Sequence, residues 1–139
     1  MKPVQELFDD TERRLAMGLA TTERRVADAE AKLHELERYR VDYDKQFAQR
    51  AGKGIGATSL RDYQVFLSRL TEAIRQQQAV VKRAQSERDA ERLRWQEAAK
   101  RAKALGHVVE QWQTEERRAS DRREQLESDE RAQRRVTKT

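Results

Sequence analysis

Ala51-Gly52-Lys53-Gly54-Ile55-Gly56-Ala57-Thr58-Ser59 carries three of the chain's five glycines. Glycine is the default residue where a backbone has to turn, so this stretch is the natural reversal point. Behind it, Ser59 and Asp62 form an S-x-x-D helix-start signal, in which the Ser hydroxyl accepts from an otherwise orphan amide of the first turn. The chain therefore reads as a single domain with a first helix over about 4–50, a turn over 51–59 and a second helix over about 60–133.

Apolar residues before the turn recur at steps of three and four, or their sum, through Phe8, Leu15, Leu19, Val26, Ala29, Leu33, Leu36, Tyr43 and Phe47. Glu12, Thr22, Arg40 and Arg50 fill the remaining positions of this heptad seam. After the turn the pattern resumes at Leu60, Tyr63, Leu67, Leu70, Ile74, Val81 and Ala84, and continues through Trp95, Ala98, Ala102, Leu105, Val109 and Trp112 to Ala119 and Leu126. Gln77, Arg88 and Glu91 interrupt this seam, and Glu116, Arg123 and Glu130 crowd its far end, so fraying is expected past about residue 126. Each stripe is too narrow for burial on all sides. The economical solution is all-α, a long antiparallel two-helix coiled-coil hairpin in which each seam covers the other. Helices of roughly 45 and 75 residues would span about 68 Å and 112 Å, which leaves the second overhanging the first from about Leu105.

Composition agrees. Ala, Glu, Lys, Leu and Arg make up 75 of the 139 residues, and the one Pro is Pro3, the profile of a long helix or coiled coil. With 40% charged and 6% aromatic residues, little is left to fill a globular core. The absence of Cys excludes a disulfide framework or thiolate metal site and suits a reducing compartment. No uncharged stretch is long enough for a membrane span or a secretory signal, so a cytosolic protein is expected.

The net charge of +5 hints at an acidic partner, nucleic acid or a membrane surface. Position refines it: residues 1–44 carry 8 basic and 11 acidic side chains, 45–103 carry 14 and 6, and 104–139 carry 8 and 8. Many arginines have acidic neighbours three or four residues away, as in Asp9/Arg13, Asp10/Arg14, Arg24/Asp28 and Glu115/Arg118, the mark of a solvated, salt-bridged face. Only the middle stretch suits an anionic partner, and it lacks long basic runs.

Catalytic apparatus is missing. His34 and His107 stand alone, with no acid cluster or second His beside either, and no cofactor, metal or small-molecule substrate is called for. Gly52-Lys53-Gly54-Ile55-Gly56 departs from the G-x-x-x-x-G-K-[ST] order of a phosphate loop and reads as a turn.

The aromatic residues are more informative. Five of eight gather near the turn: Tyr39, Tyr43 and Phe47 before it, Tyr63 and Phe66 after it. Tyr43, Phe47 and Tyr63 lie in the seams, whereas Tyr39 and Phe66 fall one step outside. With Leu36, Leu70 and Ala73 these two would form a flanking apolar strip of the kind interfaces favour, or else widen the core.

The ordered series Leu36-x-x-Tyr39-Arg40-x-x-Tyr43, the glycine-rich turn, Tyr63-x-x-Phe66-Leu67-x-x-Leu70-x-x-Ala73-Ile74 and Trp95-x-Glu97-Ala98-x-x-Arg101-x-Lys103-Ala104-Leu105 resembles the FliJ family of flagellar type III export proteins, over roughly residues 8–130. The resemblance implies an antiparallel two-helix coiled coil similar to the rotor stalk of rotary ATPases. It also implies a non-enzymatic role: docking in the flagellar export ATPase ring and stimulating it, contacting the export-gate protein FlhA, and escorting export chaperones. The family's gate-binding positions fall on Leu36, Tyr39, Tyr43, Phe66, Leu70, Ala73 and Gln77, and one further position, usually Gln, is Lys32 here. By analogy with the rotor stalk, the end bearing both termini would enter the ring. The membrane would be touched only peripherally, through partners at its cytoplasmic face. Two alternatives stay open, the equivalent stalk of a virulence injectisome and a basic coiled coil binding nucleic acid through residues 45–103.

Overall fold

The computed structural model describes residues 3–137, which form two helices and no strand. α1 runs Val4–Ala51 and α2 runs Ala57–Thr137. Contacts divide the chain into two compact units, one of Arg13–Gln96 and one of Met1–Glu12 with Glu97–Thr139.

Both helices start and stop for local reasons. α1 begins where the Leu7 amide donates to the Pro3 carbonyl at 3.2 Å. Glu6 in its first turn and Arg50 in its last suit the helix dipole. It ends by tightening: the Gly52 amide still bonds Ala48, but the Lys53 and Gly54 amides reach only three residues back, to Arg50 and Ala51. Gly54 then takes a φ of 88°, the left-handed region that a side chain disfavours. The reversal is shorter than the 51–59 stretch read from the sequence. Leu60 N donates to Gly56 O at 3.1 Å, so Gly56 caps α2 and Ser59 lies inside its first turn rather than at its cap.

In the Arg13–Gln96 unit, contacts step down α1 as they step up α2. Phe47 stacks on Tyr63 and Tyr43 packs on Phe66; further along, Gln77 reaches Ala29, Gln85 reaches Glu30 and Arg92 approaches Glu23. The core lies in the middle of this ladder, where Val26, Ala29, Leu70, Ile74, Val81 and Ala84 are buried. Thr22 and Gln77 are buried with them, at 7% and 8% exposure. Both are satisfied: Thr22 Oγ1 donates to Leu19 O at 2.8 Å, and Gln77 Nε2 to Ala29 O at 3.0 Å. Toward residue 96 the seam turns polar, with the Arg88 and Glu91 side chains a quarter exposed, and Glu91 Oε2 lies 3.4 Å from where a Cβ on Gly18 would sit. Leu60, read as the first seam residue of the second helix, is 42% exposed and stands outside the core.

In the other unit, Gln5 Nε2 lies 3.8 Å from a Cβ placed on Gly106, so the first turns of α1 accompany α2 to about that level. Past Val109 nearly every residue of α2 is exposed, Trp112 at 62% and Leu126 at 63%. The helix nevertheless continues to Thr137, a little past the end at about 133 read from the sequence. A fading apolar seam removes packing, not helicity: residues 127–135 are mostly good helix formers. Glu127 lies 3.8 Å from Arg131 at i,i+4, Gln125 bonds Asp129, and Arg134 and Arg135 sit at the negative end of the dipole.

Since the core occupies the middle of the ladder, Ile74→Ala is expected to cost about 2–5 kcal/mol in denaturant unfolding followed by circular dichroism. Leu60→Ala should cost less than about 1 kcal/mol, and equal losses at the two positions would contradict this placement.

Candidate functional site

The five rings read from the sequence form one continuous cluster beside the turn. Phe47 and Tyr63 stack with ring centroids 3.6 Å apart, Tyr43 and Tyr63 stack at 5.2 Å, Tyr43 and Phe66 meet at 4.3 Å with a 40° tilt, and Tyr39 and Phe66 meet at 6.1 Å. The Tyr63 hydroxyl donates to Asp44 Oδ1 at 2.6 Å, tying α2 back to α1 at the base of the cluster. That hydrogen bond, with lesser help from desolvation and the Asp44 charge, holds the Tyr63 phenol protonated above its ordinary range near 10. A cavity of about 390 Å³ opens between this cluster and the turn, where Phe47, Arg50, Lys53, Ile55 and Tyr63 are among its walls.

The structure sorts the seven proposed partner-binding residues into three kinds. Leu70 and Gln77 are buried between the helices, at 6% and 8% exposure, so they support the strip from beneath. Leu36, Tyr43, Phe66 and Ala73 are half-buried. Tyr39 is 56% exposed, its ring touching the cluster only along Phe66. Phe66, read as lying outside the seam, packs on Tyr43 and belongs to the interhelical contact, while Tyr39 remains outside it. The two positions, equivalent in heptad terms, differ because Phe66 leans over the pair and Tyr39 leans away.

A second feature escaped the reading by stretches of chain. On α1, Glu23, Glu30, Glu37 and Asp44 recur every seven residues and so share one flank, while Arg25, Lys32, Tyr39 and Gln46 share the other. The acidic flank meets mostly uncharged partners on α2: Glu30 accepts from Gln85 at 3.3 Å and Asp44 from Tyr63, with Arg92 3.9 Å from Glu23. The sevenfold spacing was present in the sequence, but charge counted by segment conceals it.

No group of three or more His, Cys, Asp and Glu capable of holding a metal occurs among the described residues. His34 and His107 are solvent-facing, with Glu37 and Glu110 nearest them at 3.7 and 3.9 Å. No described helix is long and apolar enough to cross a membrane.

Two long helices with a ring cluster beside their turn and no strand among the described residues define an all-α scaffold. The family model described as flagellar FliJ protein matches residues 1–139, the whole length, and the chain belongs to the FliJ family, a non-catalytic component of flagellar type III export. No curated protein and no solved structure matches the chain.

Two measurements test this geometry. Tyr43→Ala, which removes a ring touching both Phe66 and Tyr63, is expected to lower stability by about 1–3 kcal/mol, and Tyr39→Ala by less than about 1 kcal/mol. Because the Tyr63 phenol is protonated more firmly in the folded state than in the unfolded, its contribution is complete below about pH 10 and is lost as pH rises through the folded value. Melting temperature followed upward from about pH 9 should therefore fall more steeply for the wild type than for Tyr63→Phe.

Proposed function

We propose that this protein is the coupling stalk of the flagellar export apparatus: an antiparallel coiled-coil hairpin whose flank beside the turn binds the export gate, and whose segment bearing both termini engages the export ATPase ring and stimulates it. The observation that carries the gate contact is Tyr39, a large aromatic side chain over half exposed yet anchored at its edge by Phe66. A rigid aromatic at the margin of a packed cluster loses little side-chain entropy on binding and offers a large contact area, the profile of an interface anchor. Leu36, Tyr43, Phe66 and Ala73 extend the contact, and the buried Leu70 and Gln77 hold its floor in place.

Engagement of the ATPase ring is supported by α2 beyond Val109, where Trp112 and Leu126 are exposed at seam spacing and nearly every described residue faces solvent. Export chaperones are the third class of partner in this reading. The protein works in the cytoplasm at the membrane's inner face, held there by its partners.

The experiment is paired. Added to the purified export ATPase, the full chain should raise ATP turnover, and Trp112→Ala should reduce that stimulation. Against the purified export-gate protein, Tyr39→Ala should weaken binding by about tenfold or more while ATP stimulation is retained. Unchanged turnover with the wild-type chain would sink the ATPase half, and unchanged gate affinity for Tyr39→Ala the gate half.

A further inference from the structure

Residues 45–61, which carry the chain through its turn, hold four cations, Lys45, Arg50, Lys53 and Arg61, and no acid. Arg50 stands one residue before the end of α1 and Arg61 four after the start of α2, while Lys45 lies six residues back, about 9 Å at helical rise. All four are exposed. Within roughly one Debye length of the helix ends, about 10 Å at 0.1 M salt, they act on a neighbour as one patch. Charges elsewhere in the chain pair off, as at Glu72 with Arg75, Arg88 with Asp89 and Arg92 with Glu23, but no described acid pairs with any of these four. Counting the bracketing acids, Asp44 and Asp62, still leaves four cations against two acids, a net of +2 over residues 44–62. The same end of the molecule exposes apolar surface. The two seams close on the Phe47–Tyr63 stack, and the next seam positions, Arg50 and Leu60, are open to solvent, Leu60 at 42%. Ile55, beside Gly54, is half-buried, and with Arg50 and Lys53 it walls the cavity behind the turn.

We propose that this turn end is a contact site for an anionic lipid surface, with the four cations meeting headgroup phosphates and Ile55 and Leu60 entering the boundary between headgroups and acyl chains. Cations placed around a small apolar apex suit a plane, which can meet all of them at once. A nucleic-acid duplex would gain from the cations but not from the leucine and isoleucine, and it would be served better by a stripe along the helices than by a patch at their end. No described helix is long and apolar enough to cross a membrane, so the contact is peripheral and reversible. It needs no partner protein. It therefore adds a direct contact to those made through partners, and does not rest on the gate or ATPase reading.

The test sediments the full chain with vesicles of phosphatidylglycerol and phosphatidylcholine in equal parts, and with vesicles of phosphatidylcholine alone. Binding to the mixed vesicles at about 50 mM salt should exceed binding to the neutral ones by more than about tenfold, and should fall steeply by about 300 mM. Removing two cations, as Lys53→Gln with Arg61→Gln, should weaken it about twentyfold, and Leu60→Gln about threefold. Melting temperatures should stay unchanged, since these side chains are exposed. Arg134→Gln with Arg135→Gln removes the same charge from the last turn of α2 and should bind like the wild type. Equal losses from the two double variants would mean adhesion by net charge alone and overturn the site. Equal binding to both kinds of vesicle would overturn it as well. So would tighter binding to duplex DNA in the same buffer, lost with Lys53 and Arg61, which would make the patch a nucleic-acid surface. Wild-type binding by Leu60→Gln would strike the apolar half. The assay holds no other protein, so each of these results leaves the gate and ATPase readings where they stand.

Discussion

A pair of helices has only one seam, and that constraint governs this protein. Each stripe of α1 and α2 can be covered only by the other, and no described side chain becomes completely shielded. Stability therefore accumulates from partly covered contacts strung along the ladder. The buried set runs from Thr22 to Ala29 on α1 and from Leu70 to Ala84 on α2, with rings taking over toward the turn and polar side chains toward Gly18. In so thin a core a buried polar residue is tolerable because its partner is within reach: Gln77 finds a backbone carbonyl across the seam, and Thr22 finds one on its own helix.

The same constraint gives the cluster beside the turn its form. The rings of Tyr43, Phe47, Tyr63 and Phe66 are too large for the seam to enclose, so they spread across it and leave Tyr39 at the margin. Packing and exposure are here properties of one group of side chains. Phe66 serves both, since it closes the seam over Tyr43 and supports Tyr39 from the side.

Much of this was legible in the sequence, because heptad spacing and a triple-glycine turn are local signals. The two helices, the reversal centred on Gly54 and the gathering of five aromatics follow from residue order alone. What was not legible depends on geometry across the seam. Phe66 and Tyr39 have equivalent heptad positions, and only the lean of each ring separates a packed residue from an exposed one. Leu70 and Gln77 fall in the seam by spacing and are buried there, whereas the resemblance assigned both to a binding strip that only their neighbours expose. Ser59 resembled a helix cap, but Gly56 fits the tight exit from Gly54 and α2 starts sooner. The end of α2 answers to a different signal: apolar periodicity reports burial, whereas the continuation to Thr137 reflects helix propensity and i,i+4 pairs.

Register is the step that joins fold to surface. A flank of this pair is composite, half from α1 and half from α2, so its chemistry exists only while the helices keep their alignment. A slip by one heptad would leave the seams apolar against apolar, which makes hydrophobic matching alone a weak guide to register. The directional contacts discriminate better: Gln77 to Ala29, Tyr63 to Asp44 and Gln85 to Glu30 each need one donor opposite one acceptor. Two of the three lie along the acidic flank, which thereby fixes the alignment that brings Tyr39 beside Phe66 on the other. The flank that meets α2 with hydrogen bonds sets the register, and the opposite flank leaves Tyr39 and Lys32 exposed.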